Sequence, residues 1–444
     1  TRDDGGNEQK SFTASIAGPL FTWGAGDIGL ASGVEIRQER GWRNPDPLTV
    51  AGIANTNQQD RIAGEYNAKE AFAELSVPLL RNAPLAKSLT LNSAFRYSTY
   101  DLFGSDTNYK VGLDWQVVDA FKIRANRSTG FRVPNIPELF GGVSEGNLTT
   151  TDPCNSWSSK PSDSVVYQNC RASGLPTNYR QLGNTILTTT GGNQNLDPED
   201  ATSTTVGFVW TPQFIRGLTL TGDYFRMEID NAIQRVDGST KLSICYNTPN
   251  MAHEFCSPSN FTRNKLTGEV DFLSSQPVNA ATESVSGFDI GAIYERKFGS
   301  WNSILNVDVS RLIRYDVTPF DGADKIEYAG KITGGRGSFA HLRSYTSLTL
   351  KRRPFAFTYG VQFIGRADDI NAAPGDIGDH APALAYHNAQ FKLSPTGSTD
   401  IAFGVDNLWD KKAPYIQSYT DGNTDTMTYD LMGRRWYVSV NYRF

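Results

Sequence analysis

The sequence predicts an all-β fold, a membrane-spanning antiparallel β-barrel, and three observations carry that expectation. Apolar and polar side chains alternate with a period of two along most of the 444 residues, the mark of strands with unlike faces. Short turns and long polar connections alternate between those segments. No run of about 18 apolar residues occurs, so no helix is expected to cross a bilayer. The mean hydropathy of -0.41 would suit a soluble protein. A barrel, however, shows lipid only every second side chain and keeps its average low. An aromatic content of 11% and 41 glycines suit a sheet-rich chain. The net charge of -5, with no long basic run, argues against a nucleic-acid partner.

About fifteen strands are expected, at 10–17, 27–40, 64–78, 87–103, 106–117, 119–130, 200–211, 216–236, 283–297, 300–315, 336–351, 354–368, 379–394, 397–408 and 429–444. No helical pattern competes with them. In "LTLNSAFRYS", Leu89, Leu91, Phe95 and Tyr97 oppose Thr90, Asn92, Ala94 and Arg96. In "YKVGLDWQV", Tyr109, Val111, Leu113, Trp115 and Val117 oppose Lys110, Gly112, Asp114 and Gln116, and "FKIRANRS" and "DIAFGVDNL" repeat the pattern. The end, "RRWYVSVNYRF", sets Trp436, Val438, Val440, Tyr442 and Phe444 against Tyr437, Ser439, Asn441 and Arg443. One segment breaks phase. In "LTLTGDYFRMEIDNAI" the apolar positions switch parity between Tyr224 and Phe225, through a bulge or because the strand leaves the bilayer there. Many of the strands exceed the roughly 9–11 residues that cross a bilayer at a tilt.

The connections orient the strands. "VD", "GS", "KRRP" and "PTG" are tight turns after strands 5, 9, 11 and 13, whereas long connections near 131–199 and 237–282 follow strands 6 and 8. Barrels of the outer membrane place short turns in the periplasm and long loops outside; a soluble sandwich has no reason to collect its long loops at one end. With the last strand running inward, every long loop faces outward. About fifteen strands that begin outside do not close by the even-number rule of single-chain barrels. An odd number of N-terminal strands is therefore expected to be missing. Pro134 and Pro137 end the sixth strand's ladder, because proline donates no N–H.

Cys154, Cys170, Cys245 and Cys256 form two close pairs in polar stretches. Of the three possible pairings, Cys154–Cys170 and Cys245–Cys256 are expected as loop disulfides of an oxidising compartment. The competing metal reading lacks a C-x-x-C spacing and has only His253 nearby.

Several segments resemble the C-terminal barrel of TonB-dependent outer-membrane receptors. They are "GFRVPNIPELFGG" (130–142), "NQNLDPEDATSTTVGFVW" (193–210), "GLTLTGDYFRMEIDNAI" (217–233), "ESVSGFDIGAIY" (283–294), "GVDNLWDKKAPY" (404–415) and the terminal "NYRF". They follow family order over about residues 64–444. The resemblance implies a barrel of about 22 strands around a plug, with about 15 strands present here and the plug absent. It implies uptake of a scarce ligand in the bacterial outer membrane, driven by the TonB complex acting through the missing N-terminal region. The terminal strand, Trp436 to Phe444, is similar to the signal read by the barrel assembly machinery.

The same residues weigh against an enzyme. His253, His341, His380 and His387 stand in no G-x-S-x-G or H-E-x-x-H context; His341 and His387 fall within expected strands. No catalytic residue, cofactor or metal site is expected. The acidic "DGADKIE" (321–327) lacks the spacing of a calcium loop, and Glu138 reads as a solvated loop carboxylate or a loop contact. For the ligand, Trp157, Tyr167, Tyr179, Tyr246 and Phe255 could stack on a sugar or grip an iron chelate, or could simply pack the loops. An iron–siderophore ligand is expected before cobalamin or an oligosaccharide. A passive porin-like channel or a surface binding protein is the alternative, and a plug-coding segment upstream would separate them.

Overall fold

The structure, a computed structural model, describes residues 2–320, 323–334, 336–419 and 422–443. Fifteen strands form one continuous antiparallel path in chain order. They are β1 (Asp4–Trp23), β2 (Gly26–Asn44), β3 (Ile62–Ala83), β4 (Ala86–Tyr100), β5 (Gly104–Val118), β6 (Phe121–Arg132), β7 (Glu199–Trp210) and β8 (Leu218–Arg235), then β9 (Pro277–Phe298), β10 (Trp301–Thr318), β11 (Leu342–Arg352), β12 (Phe355–Ile364), β13 (Leu384–Leu393), β14 (Thr399–Asp406) and β15 (Arg435–Tyr442). All fifteen expected strands are present. The path starts at β1 and stops at β15, so each has a neighbour on one side only. Among the described residues no helix is long and apolar enough to cross a membrane.

Register shows why the alternation matters. Across the sheet Trp210 aligns with Leu220, Leu220 with Ala292, Ala292 with Val307, Val307 with Thr346, Thr346 with Val361, and Val361 with His387. These residues share one face, apolar at Trp210, Leu220, Ala292, Val307 and Val361 and interrupted by Thr346 and His387. Trp23, Phe298, Trp301 and Phe355 stand exposed near the turn end of that face, the aromatic girdle of a lipid-facing wall. The opposite face is polar. There Arg124 grips Asp223 through two hydrogen bonds of 2.8 and 2.6 Å, and Lys122 lies 2.6 Å from Asp114. Further along, Glu70 accepts from Ser98 at 2.6 Å and pairs with Arg96. In β15, Trp436, Val438, Val440 and Tyr442 are the exposed apolar set; Phe444 lies outside the described residues.

The phase break in β8 involves no bulge. Its register against β7 runs unbroken from Leu220 to Asp230, and against β9 from Leu218 to Ile229. Tyr224 therefore ends the lipid-facing series, and Phe225, Met227 and Ile229 face the lumen above it.

Several boundaries move. β9 starts at Pro277, so the second long connection is 236–276. β11 starts at Leu342, because Gly337–Ser338 pairs with Lys331–Thr333 instead, and His341 falls one residue before the strand. Short helices also form where none was expected, at Ile136–Phe140, Val165–Ala172 and Gly238–Asn247. Each is capped by a side chain, from Asn135, Ser164 and Asp237 respectively, which satisfies donors that the first turn leaves free.

A wall with lipid on one side and a lumen on the other has no interior, so the buried apolar clusters gather at the loop end. The connections after β6 and β8 fold together into one lobe. Its four-stranded sheet runs in the order Phe261–Arg263, Val270–Ser274, Thr185–Thr190, Ser144–Thr149. The connections after β10, β12 and β14 build a second lobe around Ile332, Ile364, Leu384, Tyr386 and Ile416. A third cluster places Ile136 and Leu139 against Tyr66 and Tyr100 on the lumen side of the wall. Gly64 permits this: a β-carbon there would collide with the Phe140 ring.

Candidate functional site at the loop-end mouth of the lumen

Four of the five aromatic residues singled out in the long loops are core, and Tyr167 is half-buried against them. Trp157 is 3% exposed, Tyr179 4%, Tyr246 1% and Phe255 1%. Tyr167 packs edge-on to Trp157 at 5.1 Å. Their apolar area is needed inside a lobe too small to bury enough otherwise, so they are corrected from ligand candidates to structural residues. Both disulfides lie in the same lobe: Cys154 with Cys170, Cα atoms 5.6 Å apart, and Cys245 with Cys256, 5.1 Å apart.

A buried ion pair joins its two loops. Arg263 donates to both oxygens of Asp152, at 2.6 and 2.8 Å, and its Nε donates to the Tyr246 hydroxyl at 2.7 Å. Its guanidinium also stacks 4.9 Å from the Tyr246 ring centre. Tyr179 donates to Asp152 at 2.8 Å. Burial works to raise the Asp152 carboxyl, but Arg263 outweighs it and holds the group below the usual carboxylate range. Burial, with Asp152 alongside, pushes Tyr179 up.

Glu138 is a loop contact. It caps its helix by a reciprocal bond with Asn135 and receives Arg132 at 2.9 and 3.2 Å. Arg132 also grips Glu199 at 2.7 Å through two nitrogens. The histidines form no centre. His387 meets the Tyr359 hydroxyl at 2.6 Å on the lipid-facing side, and His341 contacts the Leu312 carbonyl at 2.9 Å. Of the acidic stretch 321–327, Asp321 lies outside the described residues, and Lys325 pairs with Asp316 at 3.0 Å. Among the described residues no three of His, Cys, Asp and Glu converge as metal ligands.

Lys241 is the lobe's buried base. It is 1% exposed, donates to Asn260 Oδ1 at 3.1 Å and lies 5.5 Å from the Phe255 ring centre. Burial pushes its ammonium down to about 8. The folded value lies below the unfolded 10.5, so the folded lobe releases the proton first and gains stability as pH rises from about 8 to 10.5. The gain approaches about 3 kcal/mol at 1.36 kcal/mol per unit. Protease resistance of the lobe is expected to rise over that interval, and Lys241→Met is expected to flatten the dependence.

The residues that the sequence reading missed sit at the mouth. Met227 aligns with Val285, and Val285 with Tyr315, on the lumen face. Above them Arg336 donates to Glu283 at 3.2 Å and to the Tyr315 hydroxyl at 3.1 Å, and lies 5.2 Å from the Tyr328 ring centre. Phe339 closes edge-on to Tyr315 at 4.7 Å. Burial alone would weaken the hold of Arg336 on its proton, but Glu283 and the tyrosines raise it, so it remains a cation. Just below, Asp223, Asp289, Asp308, Arg343, Tyr345 and Gln362 line a recess of about 550 Å³. A guanidinium held by half-buried and buried aromatic rings, over a polar wall, suits an anionic or oxygen-rich ligand. The parity switch at Tyr224 was the available signal for this site.

Comparison with known proteins agrees with the architecture. No curated protein matches the sequence. The ferric enterobactin receptor PfeA from Pseudomonas aeruginosa shares 14% identity at a TM-score of 0.66, over 99% of this chain and 54% of its own. The siderophore receptor PirA from Acinetobacter baumannii shares 14% at 0.63, over 99% and 55%. The outer membrane transporter YddB from Escherichia coli shares 9% at 0.60, over 100% and 55%. This chain thus spans about half the length of each solved structure. The family model "TonB dependent receptor-like, beta-barrel" matches residues 1–408. The chain belongs to this family of TonB-dependent receptor barrels of the bacterial outer membrane.

Proposed function

We propose that the chain forms most of the wall of a receptor that takes up a scarce small ligand, an iron chelate of the siderophore class, with energy from the TonB system. The observation that carries the ligand class is the lumen mouth, where Arg336 is held among Tyr315, Tyr328 and Phe339. Such a site offers the Arg336 guanidinium, beside the half-buried rings of Tyr315 and Phe339 with Tyr328 buried behind them, to a ligand with anionic oxygens. The names of the similar solved structures, a siderophore receptor and a ferric enterobactin receptor, support the same class. The open sides of β1 and β15 and the half-length coverage support a larger barrel, completed by further strands and a plug through which TonB would act. The terminal strand, with its exposed apolar set, is the element the barrel assembly machinery would read.

The test is uptake of radioiron on a catecholate chelator by cells carrying the complete gene, with and without TonB. TonB-dependent uptake is expected, and Arg336→Ala is expected to lower it about tenfold, as for a central charged contact. Uptake that persists without TonB would instead indicate a passive channel.

A further inference from the structure

The short-turn end of the wall carries a positive patch on three neighbouring connections: 211–217, the turn from β9 to β10, and the turn from β11 to β12. Arg216, Arg296, Lys297, Lys351, Arg352 and Arg353 stand there beside one carboxylate, Glu295. Among the described residues none of the six cations has an ion-pair partner. By contrast Lys87, Lys122 and Lys392, near other turns, are paired with Asp119, Asp114 and Asp400. Arg296 and Arg352 lie on the lipid-facing side, in phase with Ala292 and Thr346. Their guanidinia lie over girdle rings, Arg296 at 5.3 Å from the Phe298 centre and Arg352 at 5.7 Å from that of Trp301. Phe298 and Trp301 are register partners, so the two contacts are adjacent. Arg296 also donates to the Tyr294 hydroxyl at 3.1 Å. It is rooted further into the wall than Phe298 and bends back toward the turn, as a long cationic side chain does to reach the headgroup layer.

A recess of about 630 Å³ opens beside Arg296. β8 meets β9 only as far as Leu218 and Tyr294, which leaves residues 295–298 without a β8 partner. The connection 211–217 covers that gap. It packs directly on β9: Glu295 donates its amide to the Gly217 carbonyl at 2.9 Å, and a β-carbon on Gly217 would collide with the Glu295 carbonyl oxygen. Arg216 and Arg296 both line the recess, with Phe214, Ile215 and Tyr294. Phe214 is 76% exposed, and its ring lies 6.1 Å from that of Trp210 on the lipid-facing side. The recess thus joins apolar and cationic walls at the level of the lipid headgroups. Unpaired guanidinia over rings at a membrane boundary attract the anionic groups of lipid. Arginine suits phosphate in particular, since its planar fork meets two oxygens at once.

We propose that this recess binds the phosphate headgroup of an anionic phospholipid from the periplasmic leaflet. Arg216 and Arg296 hold the phosphate, with Arg352 alongside, and the chains lie against Phe214 and the girdle. The site is independent of the chelate reading, since it lies outside the wall at the end away from the lumen mouth. The test uses the complete receptor, extracted in detergent and offered equal amounts of phosphatidylglycerol and phosphatidylcholine. Native mass spectrometry reads the first lipid bound. Both lipids carry a phosphodiester, but only phosphatidylglycerol has a net charge. Its occupancy is expected to exceed that of phosphatidylcholine about tenfold at low salt. The ratio is expected to fall toward one when Arg216→Gln and Arg296→Gln are combined, and to stay unchanged in Lys411→Gln at the loop end. Heat-modifiable migration on gels shows whether each variant is assembled; should the double variant fail, Arg296→Gln alone is expected to lower the ratio. Added inorganic phosphate is expected to leave the lipid in place, because it lacks the apolar contacts. Equal occupancy by the two lipids, a ratio unchanged in the arginine variants, or displacement by inorganic phosphate overturns the proposal.

Discussion

Replacing Arg263 by alanine is expected to unlatch the larger outer lobe. The change removes both bonds to Asp152 and the bond to Tyr246, and leaves a carboxylate that is 2% exposed without its cation. Breaking a buried pair from one side costs about 3–5 kcal/mol, because the survivor keeps its desolvation penalty. The loss falls on the lobe, since the pair links the loop after β6 to the loop after β8 and touches no barrel strand. Proteolysis within 133–198 on intact cells is expected to accelerate by at least about a hundredfold, while the amount of assembled barrel is unchanged. Arg263→Lys is expected to rescue little, because an ammonium cannot reproduce the two-pronged contact. Unaltered protease resistance in Arg263→Ala would show that the disulfides and apolar core suffice.

Val307→Arg is the second large effect. Val307 lies six residues into β10 from Trp301, which marks the turn-end girdle. Six residues at about 3.3 Å, tilted by about 45°, rise about 14 Å, near the middle of a lipid-facing band about 25 Å tall. Arginine at that depth costs about 2–4 kcal/mol. The urea midpoint of the assembled protein is expected to fall accordingly. Asn306→Arg, one residue away on the polar face, is expected to be tolerated. Equal loss from both variants would mean that the two faces are wrongly assigned.

These two sites differ in how far the sequence exposes them. Val307 is legible from alternation alone, since each strand's period of two is imposed by its pleat and needs no tertiary information. The same holds for all fifteen strands and for the direction of the loops. The Arg263–Asp152 pair is not legible. The residues are 111 positions apart, and nothing local distinguishes Arg263 from a solvated loop arginine. The loop aromatics misled for a related reason. Polar flanking sequence marks a segment as a loop, but cannot show that two such loops fold upon each other and bury Trp157, Tyr179 and Tyr246. The helices were missed although their caps were readable, as Asn135 with Glu138 three residues on shows. At the mouth, the parity switch in β8 was visible, yet Arg336 reaches Glu283 and Tyr315 only through the pairing of Gly337–Ser338 with Lys331–Thr333.

The two outermost ribbons of the arc have a directional consequence. β1 and β15 are both odd members of an alternating series, so their chains point the same way, and joining them would demand one parallel seam in a sheet that has none elsewhere. They are also unequal, at 20 and 8 residues, so such a seam would leave much of β1 unzipped. Closing the arc with every neighbour antiparallel would take an odd count of further ribbons, since fifteen lie in the path.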